Sequence, residues 1–205
     1  MLSGDIFDRP NPSTEAQKVY FQFVADLGQT KCKLFMIGGN HDSGKVLECP
    51  TPIYDPQKIK VIGELGTIKS KADFARFIIK EDGLSFTLLP YFKNHELSSL
   101  RELMTEEEVK DYESLPLTER LRFLFKFLLR ELQSLSDQKI NIMLAHHLFG
   151  YFTPSGSELE IALCGPETFS LSDFSFYDYL ALGHIHSPHC VHKTRPRAIY
   201  SGAPL

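Results

Sequence analysis

An α/β fold is predicted by two features of this 205-residue chain. Short apolar runs alternate with stretches of helical spacing, in the order strand, helix, strand. Four of those runs lead directly into polar residues of the metal-ligand type: Gly4-Asp5, Gly39-Asn40-His41-Asp42, His146-His147 and Gly183-His184-Ile185-His186. Ligands of open α/β sheets bind beyond the carboxyl ends of the strands. The pattern therefore predicts oxygen and imidazole donors gathered along one edge of a single sheet.

Taken in order, Met1, Leu2 and Ser3 read as the end of a strand that delivers Asp5. Residues 13–27 carry Ala16, Val19, Tyr20, Phe23, Val24 and Leu27 at helical spacing, with Ser13 or Thr14 as N-cap and Gly28 as the stop. Residues 33–37 are a buried parallel strand running into Gly38-Gly39. Pro50, Pro52 and Pro56 punctuate a loop, and 59–65 has the composition of a strand. Residues 77–80 and 84–89 form a hairpin, because Asp82-Gly83 supplies the positive φ angles of a tight turn. Two helices fill 97–135 with a break at Leu115-Pro116, and Leu121, Leu124, Phe125, Leu128, Leu132 and Leu135 form the core face of the second. Residues 139–145, 178–182 and 197–200 are the remaining strands.

Length and composition bound the rest. At 205 residues the chain fits one domain, 1–205, and its 42% hydrophobic and 23% charged residues are those of an ordinary soluble protein. Its apolar runs span only a few residues, against about 20 for a membrane span. The N-terminus lacks a secretory pattern, and Cys32, Cys49, Cys164 and Cys190 are widely spaced, so a cytoplasmic location is expected. A net charge of −4 gives no global pull on nucleic acid, leaving only local patches. Lys193, Arg195 and Arg197 are one; Arg122, Lys126 and Arg130 form a stripe whose first reading is a solvated helix face.

Each motif has an ordinary reading. An aspartate after a strand is usually a cap or turn former. Asn40-His41-Asp42 is balanced between an Asx-type turn and a set in which the amide binds metal, the imidazole protonates a leaving group and the carboxylate orients it. His184 and His186 share a face only if the strand geometry persists. His146 and His147 point opposite ways, and His146, directly after the apolar run, is favoured as the ligand with His147 packing behind it. The joint occurrence carries the argument for a hydrolytic metal centre.

GD-x-FD, GGNHDS, the strand-terminal histidine, ALGHIH and YSGAPL together resemble the calcineurin-like metallophosphoesterases and, more narrowly, the SbcD-type nuclease subunits. The resemblance implies a layered sheet with flanking helices and two divalent cations, Mn²⁺ by preference. Asp5 would bridge them, Asn40, His146 and His184 would complete one site, and His186 would serve the other. His41, held by Asp42, would be the catalytic acid. It further implies a Mn²⁺-dependent exonuclease and endonuclease acting on DNA in double-strand break or hairpin processing. Its partner would be an SbcC-like ATPase, in a heterotetramer containing a homodimer that pairs partly through the helix at 13–27.

The family's first-strand Asp-x-His motif does not occur in these residues. The expectation is that a first strand is missing, that the His186 site is incomplete and that the chain is part of a longer product at both ends. The alternatives are a phosphoesterase acting on nucleotides or phosphoproteins, and a non-catalytic remnant that binds DNA or a partner subunit.

Overall fold

A computed structural model describes residues 1–149 and 169–203. Cys164 and the last two residues of the YSGAPL run lie outside them. The architecture turns on β2 (Leu34–Ile37), which is buried on both faces. Leu34 and Met36 face one way, into a cluster with Tyr20, Val24, Leu47, Ile59 and Val61. Phe35 and Ile37 face the other way, into the main core. Alternation along a strand sends neighbours to opposite faces, so a strand apolar at every position is one that separates two layers.

On one side of β2 lies α1 (Thr14–Gly28), started by Ser13, whose hydroxyl accepts the Ala16 N–H. β1 (Leu2–Ser3) and β3 (Ile59–Ile62) flank β2 in a parallel three-stranded sheet, with Leu2 opposite Met36 and Leu34 opposite Ile59. The short helix α2 (Gly44–Glu48) follows β2.

A second sheet has the strand order β4-β5-β6-β7-β9-β8. Its strands are β4 (Ile78–Glu81), β5 (Leu84–Leu89), β6 (Ile140–Ala145), β7 (Tyr179–Leu182), β8 (His189–His192) and β9 (Arg197–Tyr200). β5, β6, β7 and β9 run parallel, while β4 and β8 close the edges antiparallel. Phe86 on β5 meets Phe35 of β2, ring centroids 4.7 Å apart. Thr87, on the opposite face, bonds Ser136 at the end of α5 (Leu117–Leu135). The layers therefore run helix, sheet, sheet, helix. The short helices α3 (Asn94–Leu97) and α4 (Glu106–Ser114) lead into α5.

The expectation of a single sheet is thus corrected to two. A run such as LFMI reads the same whether both its faces meet helices or one meets another sheet. Three smaller differences have local causes. β3 ends at Ile62, short of Leu65. Phe77 belongs to a 3₁₀ helix, Lys71–Phe77, rather than to the hairpin. β8, sequence HCVH, is absent from the expected strands, because it is polar and lies on an edge. The break at Leu115-Pro116 and the Asp82-Gly83 turn, with φ of 50° and 78°, are as predicted. Among the described residues no helix is long and apolar enough to cross a membrane.

Candidate metal centre

The carboxyl ends of both sheets meet where four predicted residues converge. β1 and β2 bring Asp5 and Asn40 from the first sheet; β6 and β7 bring His146 and His184 from the second. One ligand atom each from Asp5, His146 and His184 lies within 4.8 Å of the others. Asn40 sits between the two rings, its Oδ1 2.9 Å from His146 Nε2 and 2.9 Å from His184 Nδ1.

Close backbone approach makes this possible. A Cβ on Gly4 would lie 2.2 Å from His146 Nδ1, one on Gly39 2.2 Å from Asp5 Oδ1, and one on Gly183 1.8 Å from the Ser3 carbonyl. Gly4 also has φ of +89°, open to glycine without strain. Asp5, at φ 50°, and His184, at φ 89°, hold left-handed conformations that L side chains seldom adopt. Such strain clusters at ligand sites.

The hydrogen bonds define a cation-shaped gap. His146 Nδ1 is 2.6 Å from the Ser3 carbonyl, an acceptor only, so Nδ1 carries the proton. Its Nε2 lone pair then faces Asn40 Oδ1 at 2.9 Å and Asp5 Oδ2 at 3.2 Å. Three acceptor atoms pointing at one another repel unless a proton or a metal ion lies between them. A carboxylate oxygen, an amide oxygen and two imidazole nitrogens form the mixed donor set of a transition-metal ion rather than of Mg²⁺, so these residues fit a divalent cation.

Electrostatics agree. Burial would raise the Asp5 carboxyl, but a proton shared with His146 across this gap and the 3.0 Å N–H bond from His41 outweigh it and hold the group below the ordinary carboxylate value. Burial, with His146 second, pushes the His184 imidazole down to about 4, which keeps it neutral.

The other predicted residues fall differently. Asp42 does not hold the His41 ring: its oxygens accept the N–H groups of Ile6, Phe7 and Gly39 at 3.1, 2.9 and 2.8 Å. The ring of exposed His41 lies instead 3.2 Å, through Nδ1, from the carbonyl of Asp8. Adjacency in the motif suggests the Asp42 pairing, but a tight turn directs neighbouring side chains apart. Asp8, the second acid of GD-x-FD, is the neighbour that sequence reasoning passes over. His186 is exposed and is not brought into the group with Asp5, His146 and His184. His147 is buried behind His146, against the rings of Tyr91 and Phe92. The basic stripe on α5 is ion-paired: Arg122 and Lys126 with Asp173, Arg130 with Glu108 and Glu131.

Comparison with known proteins adds an independent line. The model of the calcineurin-like phosphoesterase family matches residues 1–188. The SbcD subunit of the SbcCD nuclease of Rhodobacter capsulatus is 27% identical over the whole chain, covering 51% of that protein. The SbcD subunits of Staphylococcus epidermidis and Escherichia coli are each 23% identical, again over the whole chain and 50% of the relative. The chain spans about half the length of the curated relatives it matches.

Proposed function

We propose that this chain, which belongs to the calcineurin-like phosphoesterase family, is the hydrolytic domain of an SbcD-type, Mn²⁺-dependent DNA nuclease. The observation that carries the proposal is the convergence of acceptor atoms from Asp5, Asn40 and His146, with His184 beside them, across two sheets. The relatives named as nuclease subunits support the substrate. An SbcC-like ATPase as partner, a homodimer within a heterotetramer and a cytoplasmic location follow from the same reading.

Asp5 and Asn40 would supply oxygen ligands, His146 and His184 nitrogen ligands. The bound cation would polarise a phosphoryl oxygen and lower the pKa of an attacking water. His41 acts from the rim: its Nδ1–H donates to the Asp8 carbonyl, which leaves Nε2 facing solvent. A proton on that Nε2 is the one to pass to the departing 3′ oxygen. Asp42 serves by fixing the loop that carries Asn40 and His41.

The test is cleavage of linear duplex DNA with added Mn²⁺. Asp5→Asn and Asn40→Ala are expected to abolish it, and His41→Ala to lower kcat by roughly 10²–10⁴, the usual worth of a positioned acid. Undiminished cleavage by Asp5→Asn and His41→Ala would overturn these roles. Hydrolysis of small diesters without DNA cleavage would move the substrate to a nucleotide or phosphoprotein. A second reading, a chain that binds DNA or a partner without turnover, is favoured by the position of His186 outside the ligand group. About two equivalents of Mn²⁺ per chain would exclude it.

A further inference from the structure

Three of the proposed ligands are reached from one small side chain that the mechanism does not use. Ser3 ends β1 and lies opposite Ile37 of β2, so its backbone belongs to the first sheet. Its hydroxyl and its carbonyl both bond to the second sheet. The hydroxyl donates to the Ala181 carbonyl on β7 at 3.0 Å, and the carbonyl accepts the Nδ1–H of His146, directly after β6, at 2.6 Å. Asp5 stands just beyond Ser3 in the chain, and His184 just beyond Ala181. The half-buried Ser3 is therefore the joint at which the strands carrying Asp5, His146 and His184 touch.

The fit at this joint is close. A Cβ on Gly4 would lie 2.2 Å from His146 Nδ1, and one on Gly183 would lie 1.8 Å from the Ser3 carbonyl. Hydrogen bonds keep to a range of lengths about half an ångström wide, so a small displacement of β1 is enough to lose the Nδ1–H bond. β1 has little of its own to resist such a displacement, being two residues long and paired only with β2 in its sheet. An alanine at position 3 would keep the strand and the carbonyl. What serine adds is a directed tie to β7.

The carbonyl that this tie locates decides which nitrogen of His146 faces the gap. With the proton held on Nδ1, Nε2 is turned toward Asn40 Oδ1 and Asp5 Oδ2 at 2.9 and 3.2 Å. A ring proton released from Ser3 and moved to Nε2 would sit between those acceptors, in the place a cation has to take. We infer that Ser3 is a positioning residue whose hydroxyl, by holding β1 to β7, keeps its own carbonyl on His146 Nδ1 and so presents Nε2 to the cation. The inference rests on the cation-site reading, though not on the nature of the substrate. Groups that orient metal-ligating histidines in this way are worth roughly 10–100-fold in metal affinity.

The experiment is Mn²⁺ titration of the whole chain by calorimetry, with Ser3→Ala and Ser3→Thr compared to the original. Threonine keeps a hydroxyl on Cβ and suits a strand. The expected result is a loss of roughly 10–100-fold in Ser3→Ala and an affinity close to the original in Ser3→Thr. Original affinity in Ser3→Ala would overturn the inference, even with a lowered Tm, because the hydroxyl would then be a strand tie alone. Equal losses in the two variants would overturn it as well. A second readout needs no metal: nitrogen NMR of the metal-free chain should show a slowly exchanging His146 proton on Nδ1 in the original and faster exchange in Ser3→Ala. Equal protection in both would overturn the inference. Original chain that binds Mn²⁺ and cuts no DNA would refute the nuclease reading alone, leaving the alanine-against-threonine comparison to stand or fall separately.

Discussion

At the scale of single residues, Asp42 and Gly183 separate structural from chemical duties. Asp42 satisfies three backbone N–H groups that would otherwise be left in a largely buried turn. Burial pushes its carboxyl up despite those bonds, so the charge is held at a cost. Asp42→Ala should lower unfolding free energy by about 2–4 kcal/mol, from donors at roughly 1–3 kcal/mol each with partial relief by water, as read by urea denaturation. A large fall in kcat at unchanged stability would instead restore the direct pairing with His41. Gly183→Ala puts a methyl 1.8 Å from the Ser3 carbonyl and 2.7 Å from His146 Nδ1. It should cost about 1–3 kcal/mol through overpacking and weaken Mn²⁺ binding at the same time. Unaltered stability would show that β1 and β7 do not approach as described. Which residue types gather was legible in the motifs, because ligand chemistry restricts them to a few side chains. How they bond was not, since Asp42, His41 and Asp8 differ in partner by a turn geometry that adjacency cannot reveal.

At the scale of elements, legibility followed how locally each one is determined. α1 announced itself through its period and Ser13, and the hairpin through Asp82-Gly83, because caps and tight turns are decided within a few residues. Gly83→Ala tests the second: at φ 78° with no atom within 4 Å of a new Cβ, only backbone strain opposes it. The expected loss is about 1–2 kcal/mol, with Gly83→Asn milder, and neither should change Mn²⁺ affinity, since the turn lies at the opposite end of β5 from the site. Destabilisation by both variants equally would point to packing rather than φ. β8 was illegible for the converse reason. HCVH pairs with β9 through backbone bonds at a sheet edge, one bulge included, and needs no apolar pattern to do so.

The division into two sheets belongs to the molecule as a whole, and no local signal reports it. It also sets how the fold and the site depend on each other. Where the strands start, the sheets are joined by the Phe35–Phe86 contact and the Lys33–Glu81 ion pair. Where they end, Asp5 and Asn40 on one side face His146 and His184 on the other, and the acceptor atoms of Asp5, Asn40 and His146 repel until something positive intervenes. A cation bound there would cross-link the layers, and its binding energy would then be folding energy. At Mn²⁺ one hundred times its dissociation constant the gain should be about 2.7 kcal/mol, or about 5–10 °C in Tm for a chain of this size. Asn40→Ala and His184→Ala remove one ligand from each sheet, and either should abolish the gain while leaving the metal-free Tm within a few degrees. Amide exchange gives the direction: Mn²⁺ should slow β1 and the Gly38-Gly39 turn, because the short first strand, two residues long, has the fewest bonds of its own. Protection confined to the second sheet, or a Tm rise that survives both substitutions, would place the cation elsewhere and leave the two sheets held together by their apolar faces alone.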